Sequence, residues 1–138
     1  MFIQRVKNLN SEVESIGATA FARICADKKA QIFIFKISAL KLSAALILKQ
    51  EALSAGGDFI VPKELILGKS GLYSGVLIAT ALQLEKIIAK CAIQPFGLKK
   101  VSAILAEHLG KSKFSPSLAE GVRGWVDSLF ENCALLFF

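Results

Sequence analysis

With 138 residues the chain has room for one hydrophobic core and not for two. A hydrophobic content of 54% and a mean hydropathy of +0.54 exclude an intrinsically disordered polymer, while the longest uncharged stretch, ending at Leu84, falls short of the roughly 20 residues that span a bilayer. The net charge of +6 is spread along the chain, with only Arg5, Arg23 and Arg123 as arginines, whereas nucleic-acid binders concentrate basic groups and interleave them with aromatics; the pattern argues against RNA or DNA.

Asn10 or Ser11 is placed to cap a short first helix, with Glu12 and Glu14 in the turn where the helix dipole favours negative charge, and Gly17 ends it. Ala18 to Lys28 reads as a second helix with Phe21, Ile24 and Cys25 on one side. From Ala30 to Ile37 the period switches to two and both faces are mostly apolar, which predicts a central strand covered on both sides. Ser38 is expected to cap a helix over Ala39 to Ala55, apolar almost all round from Leu42 to Leu48 and therefore buried. Gly56 stands where a left-handed cap belongs, and Gly57 lets the chain enter a strand at once.

Phe59 to Val61 and Glu64 to Leu67 read as extended, with Pro62 forcing an edge position or a bend, and Lys69 to Tyr73 as a turn. Gly75 to Ala79 has the composition of a buried strand. Thr80 and Gln83 have capping-box spacing for a helix to Cys91, with Leu82, Leu84, Ile87, Ile88 and Cys91 inward. After Gln94-Pro95-Phe96, a helix to Leu109 turns Leu98, Val101, Ile104, Leu105 and Leu109 inward, and Gly110 closes it. The expected fold class is α/β: a small mixed sheet of three to four strands, with a parallel, right-handed β-α-β unit and helices packed on it.

Residues 1–110 form the expected domain, and residues 111–138 a linker followed by an apolar amphipathic helix carrying Leu118, Val122, Trp125, Val126, Leu129 and Phe130 on one face. The apolar end Leu135-Leu136-Phe137-Phe138 implies a tail that docks back or a chain cut short. The first residues lack the charged start, apolar run and cleavage site of a signal peptide, and Cys25, Cys91 and Cys133 are odd in number and far apart; both features point to the reducing cytoplasm.

Candidate chemistry is sparse. Gly68-Lys69-Ser70 and Gly110-Lys111-Ser112 resemble the end of a phosphate loop, but the required glycine five residues earlier is Lys63 or Leu105, so both read as turns. One histidine, His108, and scattered cysteines give no metal site, no cofactor is called for, and no nucleophile has a base and a third group to support it. The distinctive polar feature is Lys49, Gln50, Glu51, Gly56, Gly57 and Asp58. Its plainer reading is a helix end, a turn and a strand start; its functional reading is a contact surface for a partner or ligand.

The stretch from Ala44 to Asp58 resembles the N-terminal extension of the Campylobacter- and Helicobacter-type, ε-proteobacterial form of dihydropteroate synthase. Pro62-Lys63-Glu64, Gly75 to Thr80 and Gln94 to Lys99 agree with it in order and spacing, so the likeness covers about residues 18–109. That family condenses a pterin pyrophosphate with p-aminobenzoate in folate synthesis, on a TIM barrel that follows the extension. A barrel takes about 250 residues, and its opening Asn-x-Thr-Pro-Asp-Ser-Phe signature is absent, so no catalytic or pterin-binding residue of the family falls on this chain. The resemblance implies a non-catalytic accessory domain, or a truncated form, that docks on the catalytic barrel of the same enzyme or forms a homo-oligomer. The alternative reading is an independent basic module for RNA or a phosphorylated ligand.

Overall fold

The computed structural model describes residues 1–111, so the expectations for residues 112–138 lie outside the described residues. Two short helices, α1 (Leu9–Ser15) and α2 (Ala20–Ala30), precede strand β1 (Ile32–Lys41). There follow α3 (Leu42–Ser54), β2 (Asp58–Ile60), α4 (Lys63–Ile66), β3 (Leu72–Thr80), α5 (Ala81–Cys91) and α6 (Leu98–Lys111). The first helix is capped by Asn8 rather than Asn10 or Ser11, and the second by Thr19; each side chain accepts the backbone N–H three residues on.

The α/β class holds, but the sheet is antiparallel. Its order is β1-β3-β2, and β3 pairs antiparallel with both neighbours. The expected parallel β-α-β unit is therefore corrected: β1 and β2 point the same way only because each opposes β3, and they do not pair. The central strand is β3, the Gly75–Ala79 run, while β1 is an edge strand with Ile32 and Ile34 exposed rather than covered on both faces. Alternation in an apolar strand marks its two faces and carries no information about which neighbours flank it.

Strand β1 also runs further than expected. Pairing continues past Ile37↔Gly75 to Leu40↔Tyr73 and Lys41↔Leu72, with one extra β1 residue absorbed between them. Ala39 takes φ 61° in this bulge. Ser38 consequently caps nothing: α3 begins after Lys41, with no side-chain cap. On the far side of the sheet, the expected turn over Lys69 to Tyr73 gives way to strand at Leu72. The segment expected to be extended after Pro62 is the single-turn helix α4, because Pro62 precedes Glu64 in a first turn and Leu65 is fully buried beneath it. Strand β2 does lie at an edge, as Pro62 requires.

The core lies between one sheet face and α3, α4, α5 and α6. Leu48 from α3, Phe59 from β2, Leu65, Leu77 from β3, Leu84 and Ile87 from α5 and Leu98 from α6 are fully buried, each contributing about 1.5–3 kcal/mol by leaving water. Phe59 fits because Gly75 has no side chain: a Cβ there would stand 2.5 Å from the ring and 2.8 Å from the Ile60 carbonyl oxygen. Helix α3 buries only Ala44, Ala45, Leu48 and Ala52, while Leu46 and Leu53 are exposed, so it is covered on one side and not all round. Ile104, expected inward, is nearly half exposed, as is Ile24, expected on one side with Phe21 and Cys25. Helix α6 continues through Gly110 to Lys111.

Candidate functional site

The six residues singled out in the sequence straddle the end of α3 and the start of β2. Helix α3 closes on a left-handed glycine: Gly56 (φ 92°) donates to the Leu53 carbonyl and Gly57 to the Ala52 carbonyl, satisfying two acceptors that a helix end leaves open. The next residue, Asp58, is already in β2. Gly57 is required by proximity, since a Cβ there would lie 2.7 Å from the Ile78 carbonyl oxygen and 3.3 Å from the Ala79 Cβ.

Of the polar residues, Lys49 and Asp58 come together. The Lys49 Nζ donates to the Phe59 carbonyl oxygen at 2.9 Å and lies 3.5 Å from Asp58 Oδ1. The first contact is a charge-assisted hydrogen bond that fastens α3 to β2. The second is a long ion pair between half-exposed side chains, worth less than about 1 kcal/mol, and Asp58 Oδ1 is buried without a hydrogen bond. Gln50 points to solvent, and its backbone carbonyl accepts from the Ser54 hydroxyl at 3.0 Å. Glu51 is half-buried on the other side, where its charge reaches Cys91. Burial first, and Glu51 second, push the Cys91 thiol up to about 11. The six residues therefore divide into a fastening (Lys49 and Asp58), a turn (Gly56 and Gly57), an exposed amide (Gln50) and a half-buried carboxylate (Glu51).

The first Gly-Lys-Ser triplet also resolves locally, and the second lies partly outside the described residues, which end at Lys111. Gly68 (φ 76°) caps α4 in the same manner as Gly56 caps α3, with Gly68 donating to Leu65 and Lys69 to Glu64, and Gly110 lies inside α6. Among the described residues no three His, Cys, Asp or Glu side chains come together as a metal site, and no helix is long and apolar enough to cross a membrane. His108 packs its ring against Phe35 at 5.4 Å.

Sequence reasoning missed two polar features. Lys28 of α2 meets Glu85 of α5 at 2.6 Å, with both side chains largely buried. An open groove of about 750 Å³ runs between the bulged end of β1 and the start of α6, its apolar lining including Leu40, Phe96 and Ile104, with Lys41 and Lys100 beside them. The groove exists because β1 continues to Lys41, which local sequence signals did not reveal.

Compared with known proteins, the chain is 44% identical over 133 aligned positions to the bifunctional dihydropteroate synthase/dihydropteroate reductase of Helicobacter pylori. The match takes in 92% of this chain and 35% of that protein, so the chain spans about a third of its relative's length. No protein-family profile and no solved structure matches the chain. The matched share is larger than residues 1–111 alone, so the likeness runs on past α6. The chain is related to a region of that protein.

Proposed function

We propose that this chain is a non-catalytic accessory domain of the dihydropteroate synthase type, serving folate synthesis in the cytoplasm by packing against a larger body, a catalytic barrel or another copy. The observation that carries the reading is 44% identity to a region that makes up 35% of the Helicobacter pylori relative. The local geometry supports it. Lys49 and Asp58 are engaged in holding α3 to β2, and the Cys91 thiol, which burial pushes upward, lies in the core. In this reading residues 1–110 are the accessory unit, and exposed Gln50 and Gly56 at the end of α3 stand at its polar contact edge.

Isothermal calorimetry tests it, with this chain titrated into the part of the Helicobacter pylori protein outside the matched stretch. Saturable heat is expected at micromolar concentrations, together with no dihydropteroate formation by this chain alone. Absence of heat counts against docking on the barrel, and turnover by the chain alone overturns the non-catalytic role. The second reading, a module for a phosphorylated ligand, draws on the net charge and on Lys41 and Lys100 beside the groove. Steeply salt-dependent retention on heparin would favour it.

A further inference from the structure

One face of the sheet carries the core; on the other, Ile32, Ile34 and Ile60 of the edge strands stand exposed, with Val76 and Ile78 of the central strand partly exposed between them. The register defines its layout. Ile34 pairs with Ile78 and Ile78 with Asp58, making one row across the three strands; Lys36 pairs with Val76 and Val76 with Ile60, making the next. Ile32 opposite Thr80 adds a third, shorter row. Strand alternation sets these side chains opposite the buried Tyr73, Leu77 and Ala79, and Ile32, Ile34 and Ile60 are 64%, 68% and 53% exposed. An antiparallel sheet that turns one face to water normally places polar residues there. These three rows place isoleucine and valine there, with Thr80 at one end and the charges of Lys36 and Asp58 at the margin.

The charges identify the occupant. Lys36 and Asp58 sit on opposite edge strands and in adjacent rows, so they mark diagonally opposite corners of a four-cornered apolar patch. Strand spacing of about 4.8 Å and a same-face repeat of about 6.8 Å put those corners roughly 12 Å apart. A two-fold axis parallel to the sheet and perpendicular to that diagonal carries Lys36 onto Asp58 and Asp58 onto Lys36. Ile34 and Ile60 lie close to the axis and fall near their own copies. The Asp58 side chain is 49% exposed; its Oδ1 is buried at a long distance from Lys49, which leaves Oδ2 to accept a second cation.

The geometry points to face-to-face association of two copies of this chain through the open sheet face, with Lys36 of each copy paired to Asp58 of the other. An isologous interface requires a surface complementary to itself, and opposite charges at opposite corners of an apolar patch meet that requirement. The patch is about 10 Å across the strands and about 14 Å along them, well below the ~800 Å² per partner of a standard interface. The dimer is therefore a weak, concentration-dependent one. This inference deepens one arm of the folate reading, packing against another copy: self-association of this chain decides it, whereas docking on the barrel is decided by binding to the remainder of the relative.

Sedimentation velocity of the full 138-residue chain from about 5 to about 200 μM decides it, a range that brackets weak association. Average mass is expected to rise towards the dimer. Lys36→Glu and Asp58→Lys, each confirmed as folded by circular dichroism, are each expected to weaken association by about tenfold or more, because like charges then meet twice. An equimolar mixture of the two variants should recover it, since both corners again join opposite charges. Should Asp58→Lys fail to fold, Ile34→Glu replaces it and must abolish association. A chain that stays monomeric throughout, or a dimer indifferent to the charge reversals and to Ile34→Glu, overturns the inference.

Discussion

Gly56 and Gly57 are neighbours in one turn, yet they serve for different reasons, and substitution separates them. At Gly56 the backbone is left-handed, and an added Cβ would meet only the movable Gln83 Nε2 at 3.0 Å. Gly56→Ala is expected to cost about 1 kcal/mol, mostly from the backbone. At Gly57 the Cβ meets a strand carbonyl at 2.7 Å, which can yield only if β3 moves. Gly57→Ala is expected to cost about 2–3 kcal/mol, and urea unfolding of the two variants measures the gap. The polar residues nearby show what the sequence could tell. Their types were legible as a helix end and a strand start, but which of them meet was not. Successive helical positions diverge by about 100°, so Lys49, Gln50 and Glu51 reach β2, solvent and the neighbourhood of Cys91 respectively.

Among the elements, α5 was read correctly and the start of α3 was not, and the two N-termini explain why. Thr80 accepts from the Gln83 N–H at 3.2 Å while the Gln83 side chain accepts from the Thr80 N–H at 2.9 Å. Both halves of that box are local, so four residues specify it. Ser38 has Lys41 three residues on, which cannot accept the returning hydrogen bond, and pairing with Leu72 and Tyr73 then extends the strand past it. Thr80→Ala is expected to lower stability by about 1 kcal/mol, read as a drop in melting temperature. Ser38→Ala should leave it nearly unchanged, because that hydroxyl has no cap to lose. Non-local pairing also explains why α/β was legible while the order β1-β3-β2 was not: apolar alternation in β1 and β3 is satisfied by either neighbour.

At the scale of the whole molecule, core burial couples folding to pH through Cys91. Its thiol, ordinarily near 9, is raised to about 11 in the folded protein. A raised pKa means that stability is complete below the unfolded value and is lost as pH rises through the folded one. Denaturant midpoints are therefore expected to fall between about pH 9 and about pH 11, by up to ~1.4 kcal/mol per pH unit from this group. The difference between the protein and Cys91→Ala across that window isolates the contribution from those of the lysines. A slope unchanged by the substitution would refute the assignment.

The placement of β1 against β3 has a consequence during synthesis. Ile37 pairs with Gly75 and Ile32 with Thr80, so the strand Ile-Phe-Ile-Phe-Lys-Ile leaves the ribosome about 40 residues before its partner. At roughly 5–20 residues per second that is an interval of about 2–8 s. During it, a nascent hexapeptide rich in β-forming side chains, and interrupted by a single lysine, has no native strand to join. Lys36 is the single charge in that run, and a hydrophobic replacement there is expected to lower the yield of soluble protein, measured against the unsubstituted chain.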